Sequence, residues 1–315
     1  MTEIEKSPHF LIFGCGGAGI TILDRIEALQ NQNIRTVAID TDQKFLEVYR
    51  AQIKIPLESH NPIIFRGEGD PAQVADAVLA AKSKFESLIE PSDTAFIIAG
   101  LGRGVGTGAA PQIAKIARDQ GALVIAIAIL PFCIQEKTVR QAWEGLKELL
   151  KHGDSVIVLD NQRIRDCFYG LPVAQEYSML NGIITDVVTT LIRSITAPSL
   201  INLDPEDFEA IFRNKGLATI LTGESREADR NKNESVVRDC MTSPLFDIDY
   251  RSATGSLVLI IGGYNVGLYD AEVIATSVTD EIDPHADVVW SAIIKESIQG
   301  EIRVYAIMTG IRVKK

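Results

Sequence analysis

The stretch Gly100-Leu101-Gly102-Arg103-Gly104-Val105-Gly106-Thr107-Gly108-Ala109-Ala110-Pro111 decides the fold of this chain. It follows an apolar run, Thr94 to Ala99, that is typical of a buried strand, and it leads into a helical pattern from Pro111 to Arg118. The sequence therefore predicts that the glycines form a strand-to-helix turn. Glycine accepts positive φ, and the backbone N–H groups at a helix start bind anions. The turn therefore predicts a binding site for phosphate oxygens.

A flexible glycine loop is the alternative interpretation of this stretch. Its position directly between a strand and a helix favours the phosphate site. The spacing is not that of a P-loop, because no Gly-Lys-Ser/Thr follows, and it does not fit the dinucleotide pattern G-x-G-x-x-G cleanly.

A second glycine turn lies near the start of the chain. Gly14-Cys15-Gly16-Gly17-Ala18-Gly19 follows an apolar strand, His9 to Phe13, and precedes a helical pattern from Ile20 to Leu29. By itself this turn resembles a dinucleotide-binding fingerprint, in which Asp40 would hold a ribose. That interpretation predicts an NAD(P)-dependent oxidoreductase, but it leaves the other glycine turn unexplained.

Composition excludes several classes of protein. The 315 residues are enough for two domains, and 46% hydrophobic with 6% aromatic residues is ordinary for an α/β protein. A net charge of −11 argues against nucleic acid as a partner, because a phosphate-neutralising surface needs clustered Lys and Arg. No apolar run approaches the ~20 residues of a membrane helix, and Met1 to Pro8 is no signal peptide, so we expect a cytoplasmic protein without membrane insertion. We predict neither disulfides nor a metal site from the scattered cysteines, which are Cys15, Cys133, Cys167 and Cys240.

The rest of the chain predicts a long helix and a second group of strands. The helical pattern from Ala174 to Ser194 is longer than a typical globular helix and is suited to run between two domains. Beyond it we predict strands at Ser256 to Ile261, Asp287 to Ile293 and Ile302 to Met308, with helices between them. Such a segment is expected to form an α+β domain with a mixed sheet.

The central glycine stretch resembles the G-G-G-T-G-T-G signature of the tubulin/FtsZ superfamily. Arg103 and Val105 depart from it, replacing a glycine and a threonine, whereas the matching residues are Gly104, Gly106, Thr107, Gly108, Ala109, Ala110 and Pro111. The resemblance covers nearly the whole chain. It implies an α/β fold with a Rossmann-like, parallel-sheet GTP-binding domain (residues 1–173), a long central helix (174–195) and an α+β C-terminal GTPase-activating domain (196–315). It also implies GTP or GDP as the bound nucleotide, with Mg²⁺.

The resemblance assigns a set of residues to the nucleotide, most of them in the two glycine stretches. Thr21 stands where the family has an Asn that helps hold the nucleotide, and Gly69 belongs to a loop that resembles the family's sensor of the γ-phosphate. The expected nucleotide-binding residues of this set are Gly14, Gly16, Gly17, Thr21, Gly69, Gly102, Arg103, Gly104, Val105, Gly106, Thr107, Gly108 and Pro131.

Other polar residues have both a local and a nucleotide-binding interpretation. Asp42 follows a predicted strand, Thr36 to Ile39, and could either hold a water on Mg²⁺ or cap the next helix. Glu136 and Arg140 could form a solvated i,i+4 ion pair, or they could meet ribose and guanine as the resemblance implies. Asn161, at the end of another predicted strand, matches the family's I-P-N.

Tyr177 and Asn181 are the expected base-reading pair on the long helix. Their spacing of four residues puts both on one face, so that the ring can stack on a purine while the amide pairs with guanine's edge. The alternative is a tyrosine and an asparagine on a partly exposed face without a ligand. The match in register to the family favours nucleotide binding.

A loop after the long helix carries the expected catalytic residues. Asn202, Asp204 and Asp207 match the family's N-x-D-x-x-D loop, which meets the nucleotide of the next subunit and places the attacking water. Local chemistry also predicts Asp204 as a helix N-cap, with Pro205 at the first helical position. Both roles are compatible.

The resemblance thus implies a cytoskeletal GTPase that polymerises head to tail, with its own copies as partners and an FtsZ-type division protein as a further candidate partner. The alternatives are a non-polymerising GTP-binding regulator, suggested by Arg103 and Val105, and the oxidoreductase. The chain ends at Lys315 soon after the last predicted strand. We therefore expect no terminal peptide of the kind through which FtsZ reaches membrane anchors.

Overall fold

The computed structural model describes residues 10–58, 70–91, 93–133, 135–167, 170, 172–197, 199–225, 231–242, 245–298 and 300–312. The chain divides into two compact units. The first unit comprises Met1–Asp154 with Asn181–Thr185, and the second comprises Ser155–Leu180 with Asp186–Lys315.

The first unit is a parallel sheet with helices between its strands. Its five strands lie in the order β3-β2-β1-β4-β5, and every described pair is parallel. The chain leaves β1 toward one edge and β4 toward the other, so the strand order reverses between β1 and β4. Its elements are β1 (Phe10–Cys15), α1 (Gly16–Glu27), β2 (Ile34–Asp40), α2 (Gln43–Val48), β3 (Ile53–Pro56), α3 (Pro71–Ala80), α4 (Lys82–Glu86), β4 (Thr94–Gly100), α5 (Gly104–Asp119), β5 (Leu123–Leu130) and α6 (Glu136–His152).

The second unit is built on a mixed sheet. Its strand order is β6-β7-β10-β8-β9, in which β10 is antiparallel to both neighbours while the β6–β7 and β8–β9 pairs are parallel. Its elements are β6 (Ser155–Asp160), α7 (Asn161–Cys167), α8 (Val173–Thr196), α9 (Pro205–Phe212), β7 (Gly216–Ser225), α10 (Lys232–Thr242), β8 (Gly255–Gly262), α11 (Leu268–Thr279), β9 (Asp287–Ile294) and β10 (Ile302–Thr309), with Asn181–Thr185 of α8 belonging to the first unit.

Buried apolar strands make the core of each unit. Every residue of β1 and β5 is buried, as expected of parallel strands covered on both faces. In the second unit, alternate residues of β8 and β10, among them Val258, Ile260 and Val304, pack with Ile274 of α11. The predicted α/β fold class, with one parallel and one mixed sheet, is therefore confirmed.

The start of α5 differs from the prediction. The helix begins at Gly104 rather than near Pro111, so Gly104, Gly106 and Gly108 lie in its first turns and Pro111 lies inside it. The reason is packing. An ideal Cβ on Gly106 would lie 2.1 Å from the carbonyl oxygen of Gly100, and one on Gly108 would lie 2.3 Å from that of Pro71. These glycines let a helix touch backbone, and they do not mark a flexible loop.

Smaller differences concern elements that have weak local signals. The residues from Ala72 to Glu86, whose sequence predicts one helix, form parts of two helices, α3 and α4, separated at Ala81. Strands β3 and β7 were not predicted. The long helix is confirmed and runs over 24 residues.

Replacement of Gly106 tests the helix contact. We expect Gly106→Ala to lower the free energy of unfolding by about 1–3 kcal/mol, because the new methyl group forces the backbone of α5 away from β4. The matched control is Gly182→Ala in α8, where the nearest atom to the new Cβ, Nη1 of Arg25, is 3.9 Å away. In that variant the free energy of unfolding should rise by about 0.5–1 kcal/mol, because alanine has a higher helix propensity than glycine. Urea unfolding measures both, and equal effects would contradict the packing argument.

Candidate functional site

The two glycine stretches meet at the point where the strand order reverses. β1 and β4 are neighbours, and α1 and α5 begin at or just after their carboxyl ends. Gly16, the first residue of α1, has φ +70°, and an ideal Cβ on it would lie 3.3 Å from the backbone nitrogen of Gly106. In open α/β sheets, ligands bind outside the carboxyl ends of the strands at such a reversal. The fold therefore places both glycine stretches at one candidate site.

The N-termini of α1 and α5 suit an anion. Neither N-cap residue, Cys15 for α1 or Arg103 for α5, provides a side-chain cap, and neither first turn contains an acidic residue. By contrast, α2, α3 and α9 are capped by Asp42, Asp70 and Asp204. Uncapped N–H groups and the positive helix end favour negative charge. Because two such N-termini are adjacent, the residues present fit a nucleotide's phosphates.

The turn before α5 is held by its own side chains. The Thr107 hydroxyl is buried and accepts a hydrogen bond of 2.8 Å from the backbone N–H of Gly102, which has φ +103°. Pro131 packs beside Gly102, with its Cγ 3.3 Å from the ideal Cβ position. Val105 packs against Gly16, whereas the Arg103 side chain is exposed. Thr107 therefore shapes the turn through its side chain, and Arg103 faces solvent.

Thr21 and Asp42, two further residues expected at the nucleotide, form hydrogen bonds with residues close to them in the sequence. The Thr21 hydroxyl donates to the Gly17 carbonyl at 2.7 Å, and Gly17 itself is exposed. Asp42 caps α2, because its Oδ1 accepts from the N–H groups of Lys44 at 2.9 Å and Phe45 at 3.2 Å. The capping interpretation of Asp42 is thus realised. Gly69 lies outside the described residues.

Asp40 is a buried carboxyl at the carboxyl end of β2. It accepts hydrogen bonds from the N–H groups of Thr41 and Asp42, at 2.7 and 3.0 Å. Burial nevertheless raises its pKa above the ordinary value of 3.8, and these bonds offset only part of that effect. Burial and the nearby Asp40 also raise the pKa of the Cys15 thiol, so Cys15 is a core residue and not a reactive thiolate.

Glu136 and Arg140 lie in the first turns of α6, and both are exposed. Among the ion pairs of the described residues, none joins these two side chains, which removes the solvated ion pair as their explanation. Both remain available to a ligand.

In the second unit, α7 and α8 carry two of the expected base-side residues. Asn161 is the first residue of α7 and is buried, whereas Tyr177 is 44% exposed in the first turns of α8. Arg165 and Glu176 join the two helices, with Nε and Oε2 3.5 Å apart. Glu176 is only 4% exposed, and its Oε2 has no hydrogen bond within the described residues. This ion pair, in which the carboxylate is buried and the Arg165 side chain is partly exposed, links α7 to α8, and its residues are too far apart in sequence for local patterns to predict it.

Asn181 lies four positions after Tyr177 on α8 and is partly exposed. Its backbone carbonyl accepts from the Thr185 hydroxyl at 2.7 Å. Its side-chain amide makes no hydrogen bond to any part of the chain that the structure describes. The amide is therefore available to a ligand.

The expected catalytic residues all lie at the surface, between α8 and the first turn of α9. Asn202, Asp204 and Asp207 are exposed, and the buried Leu203 stands between the first two. The predicted cap is confirmed, because Asp204 Oδ1 accepts from the N–H of Glu206 at 2.8 Å and Pro205 begins α9. A buried hydroxyl holds the start of this segment, because Ser291 Oγ donates to the Ile201 carbonyl at 2.7 Å. Two more hold the last residues of α9, where Thr309 Oγ1 donates to the Ile211 carbonyl at 2.8 Å and Ser155 Oγ to that of Phe212 at 2.7 Å. Sequence reasoning missed these hydroxyls, because each acts across a long stretch of chain.

The described residues contain neither a metal-ligand cluster nor a membrane-spanning helix. They contain no group of three or more His, Cys, Asp or Glu side chains placed to hold a metal ion. None of their helices combines the length and apolar character needed to cross a membrane.

A parallel sheet with two uncapped helix N-termini at its reversal point defines a nucleotide-binding α/β protein. Family comparisons identify which kind. Residues 9–168 match the GTPase domain of the tubulin/FtsZ family, and residues 216–312 match the C-terminal domain of the FtsZ family. The chain belongs to the tubulin/FtsZ family.

Individual relatives agree with this assignment. Cell division protein FtsZ 2 of Halobacterium salinarum is 41% identical over 305 residues, which are 97% of this chain and 77% of that protein. The FtsZ 2 of Methanocaldococcus jannaschii is 36% identical over 96% of this chain and 80% of its own length. The resemblance drawn from the glycine stretches is confirmed, and the oxidoreductase interpretation of Gly14 to Gly19 is wrong.

Solved structures share the fold. An empty FtsZ dimer of M. jannaschii superposes with a TM-score of 0.89 at 32% identity, over 98% of this chain and 89% of that one. CetZ2 of Haloferax volcanii, a GTPγS-bound protofilament, is similar in fold, with a TM-score of 0.80 at 21% identity over 98% of this chain and 94% of that chain.

The buried Asp40 carboxyl predicts a pH-dependent stability difference. Because its pKa is raised on folding, its ionisation opposes the folded state, and stability is lost as the pH rises from the unfolded to the folded pKa. Asp40→Asn keeps an oxygen to accept from Thr41 and Asp42 but carries no charge. We expect the free energy of unfolding of this variant to equal that of the native chain below pH 3.8 and to exceed it at pH 7. Urea unfolding of both chains across this range measures the difference, and a pH-independent difference would refute the assignment.

Proposed function

We propose that this chain is a GTP-hydrolysing cell-division protein that assembles head to tail with copies of itself. The observation that carries the proposal is the pair of uncapped helix N-termini, α1 and α5, side by side at the reversal point of the parallel sheet. Proteins named for cell division are 36–41% identical over nearly the whole chain. A relative of 32% identity forms a dimer in its solved structure, which supports self-assembly.

The phosphates are bound mainly by backbone. In this proposal the N–H groups of Gly16, Gly17 and the residues from Gly104 to Gly108 face phosphate oxygens, since glycine leaves them uncovered. Thr107 preserves the turn, and Arg103, which is exposed at the N-cap of α5, adds a positive charge near the anion. Mg²⁺ is held chiefly by phosphates and waters, so one carboxylate, Asp42, is sufficient.

The base is recognised by side chains around α8. Tyr177 stacks on the purine, and the free amide of Asn181 pairs with guanine's edge, with Asn161 as a further polar contact. Glu136 and Arg140 are exposed and unpaired with each other, which suits contact with ribose and guanine. We accordingly propose a GTP-binding domain over residues 1–173, α8 as a central helix over 174–195, and an activating domain over 196–315.

Asn181→Ala tests guanine recognition. The variant should bind GTP more weakly by about 1–3 kcal/mol, because guanine's polar edge loses its partner on desolvation. Asn181→Asp, whose carboxylate oxygens still accept hydrogen bonds from guanine's N–H groups, should retain most of the affinity. Gln175→Ala provides a control, since this exposed residue precedes Tyr177 by two positions and points to another side of α8. Titration of fluorescent GTP against GTP, ITP and ATP as competitors measures affinity, and equal affinity of the native chain for ATP and GTP would refute the assignment.

Hydrolysis is completed by a neighbouring copy. Asn202, Asp204 and Asp207 are exposed, and Asp204 and Asp207 are carboxylates that can orient and deprotonate an attacking water. In head-to-tail assembly, this loop of one copy meets the phosphates of the next. GTPase activity per subunit is therefore expected to rise with protein concentration.

Two complementary variants test the shared site. Asp204→Asn removes the charge but keeps the cap of α9, because Asn caps a helix as well as Asp does. Gly17→Leu blocks the start of α1, where a Cβ has room, the nearest atom being Phe45 Cζ at 3.7 Å. Each variant alone should be nearly inactive, whereas their mixture should recover part of the native GTPase rate, because it pairs an intact pocket with an intact loop.

Phosphate release and co-sedimentation together measure this outcome. If the two variants co-sediment with GTP and the mixture stays inactive, the active site is not shared between copies. If Asp204→Asn alone is fully active, the Asp204 carboxylate has no part in hydrolysis and only caps α9. A native chain that hydrolyses GTP at a rate independent of its concentration, without sedimenting, would instead indicate the non-polymerising regulator.

A further inference from the structure

The loop that carries Asn202 is attached to the edge of the second unit's sheet. Strand β9 is the edge strand, and Ile201 forms an isolated antiparallel bridge with Ala292 of that strand. The Ile201 N–H donates to the Ala292 carbonyl at 3.2 Å, and the Ile201 carbonyl accepts from the Ala292 N–H at 3.3 Å. A single bridge at these distances holds a surface loop weakly.

We propose that Ser291 is a positioning residue for GTP hydrolysis, which holds the loop of Asn202 and Asp204 in place through the Ile201 carbonyl. Its Oγ donates to this carbonyl at 2.7 Å, the shortest of the four hydrogen bonds at Ile201; the fourth comes from the Ser199 hydroxyl, which donates to the same carbonyl at 3.1 Å. The Ser291 side chain is fully buried and Ile201 is partly buried, so access of water to the bond is reduced. The inference rests on the proposed role of this loop in hydrolysis.

A second attachment, at Leu203, holds the loop on the other side of Asn202. The N–H of Leu203 donates to the Ser194 carbonyl in the last turn of α8 at 2.9 Å, and the Leu203 side chain is buried. Asn202 therefore lies between two fixed residues, and its Oδ1 accepts from the N–H of Ser199 at 2.8 Å. The loop is thus held at Ile201 and at Leu203. Asn202 Oδ1 also accepts from the Ser199 hydroxyl, which donates to the Ile201 carbonyl as well. Loss of the Ser291 bond weakens the attachment at Ile201 and so loosens Asn202, while the cap at Asp204 and helix α9 stay in place.

The same sheet provides a matched control for Ser291. Ser256 is equally buried on β8, the neighbouring strand, and its Oγ has no hydrogen-bond partner among the described residues. Ser256→Ala therefore removes a buried hydroxyl without removing a hydrogen bond. Any general effect of this substitution on the sheet appears in both variants, whereas an effect on the loop appears only in Ser291→Ala.

The experiment compares Ser291→Ala with Ser256→Ala in the full chain, using GTP binding, steady-state GTPase rates and melting temperature. We expect Ser291→Ala to lower kcat about 5- to 10-fold, the effect of one lost hydrogen bond, at unchanged GTP affinity. Ser256→Ala should change kcat less than twofold. The defect should also act in trans, so that mixing Ser291→Ala with Gly17→Leu restores activity, because the loop of Gly17→Leu is intact.

Three results would overturn the inference: equal kcat for the two alanine variants, a loss of GTP affinity as large as the loss of kcat, or no recovery in the mixture. If Ser291→Ala does not fold, Ser291→Cys, of nearly the same size and with a weaker donor, replaces it and should also lower kcat. Failure of the proposed function is distinguishable, because Asp204→Asn would then be fully active. If Asp204→Asn is inactive while Ser291→Ala matches Ser256→Ala, only the positioning role is wrong.

Discussion

The structure depends on the contact of two helices with the backbone at the end of β4. A Cβ on Gly19 of α1 would lie 2.2 Å from the Ile98 carbonyl oxygen, and one on Gly106 of α5 would lie 2.1 Å from that of Gly100. Only glycine permits both contacts, since any side chain would push each helix outward. Because α1 and α5 rest on the same strand, their uncapped N-termini become neighbours. The candidate anion site follows from this packing constraint, and no charged side chain is needed to build it.

The sequence predicted those parts of the fold that have local causes. The apolar runs of β1, β4 and β5 and the helical period of α8 identify their elements without tertiary information. The start of α5 could not be predicted in this way, because glycine has a low helix propensity and Gly104 to Gly108 form a helix only through contact with β4 and α3. Strand β7 was missed for a related reason. It is fixed by pairing with β6 and β10, and its sequence carries Gly and Thr among its apolar residues.

In the candidate site, too, contacts between residues close in sequence could be predicted, whereas contacts between separate segments could not. The caps at Asp42 and Asp204 depend on residues two or three positions away; the sequence predicted the cap at Asp204 and gave the cap at Asp42 as one of two interpretations. The Arg165–Glu176 pair and the Ser291 bond to Ile201 join distant parts of the chain, and no periodicity or motif indicates them. A buried serine in a strand of apolar residues is the one signal present in the sequence. By itself it does not reveal which carbonyl the hydroxyl meets.

The distribution of charge between the proposed site's two parts has a physical reason. The first turns of α1 and α5 contain no acidic residue, as binding a phosphate chain requires. The carboxylates proposed to act on water, Asp204 and Asp207, stand on an exposed segment of the other unit. A carboxylate fixed permanently beside the phosphates would repel them and weaken nucleotide binding. If the carboxylates come from another copy, each chain binds GTP without that cost, and hydrolysis begins only once a neighbour has joined.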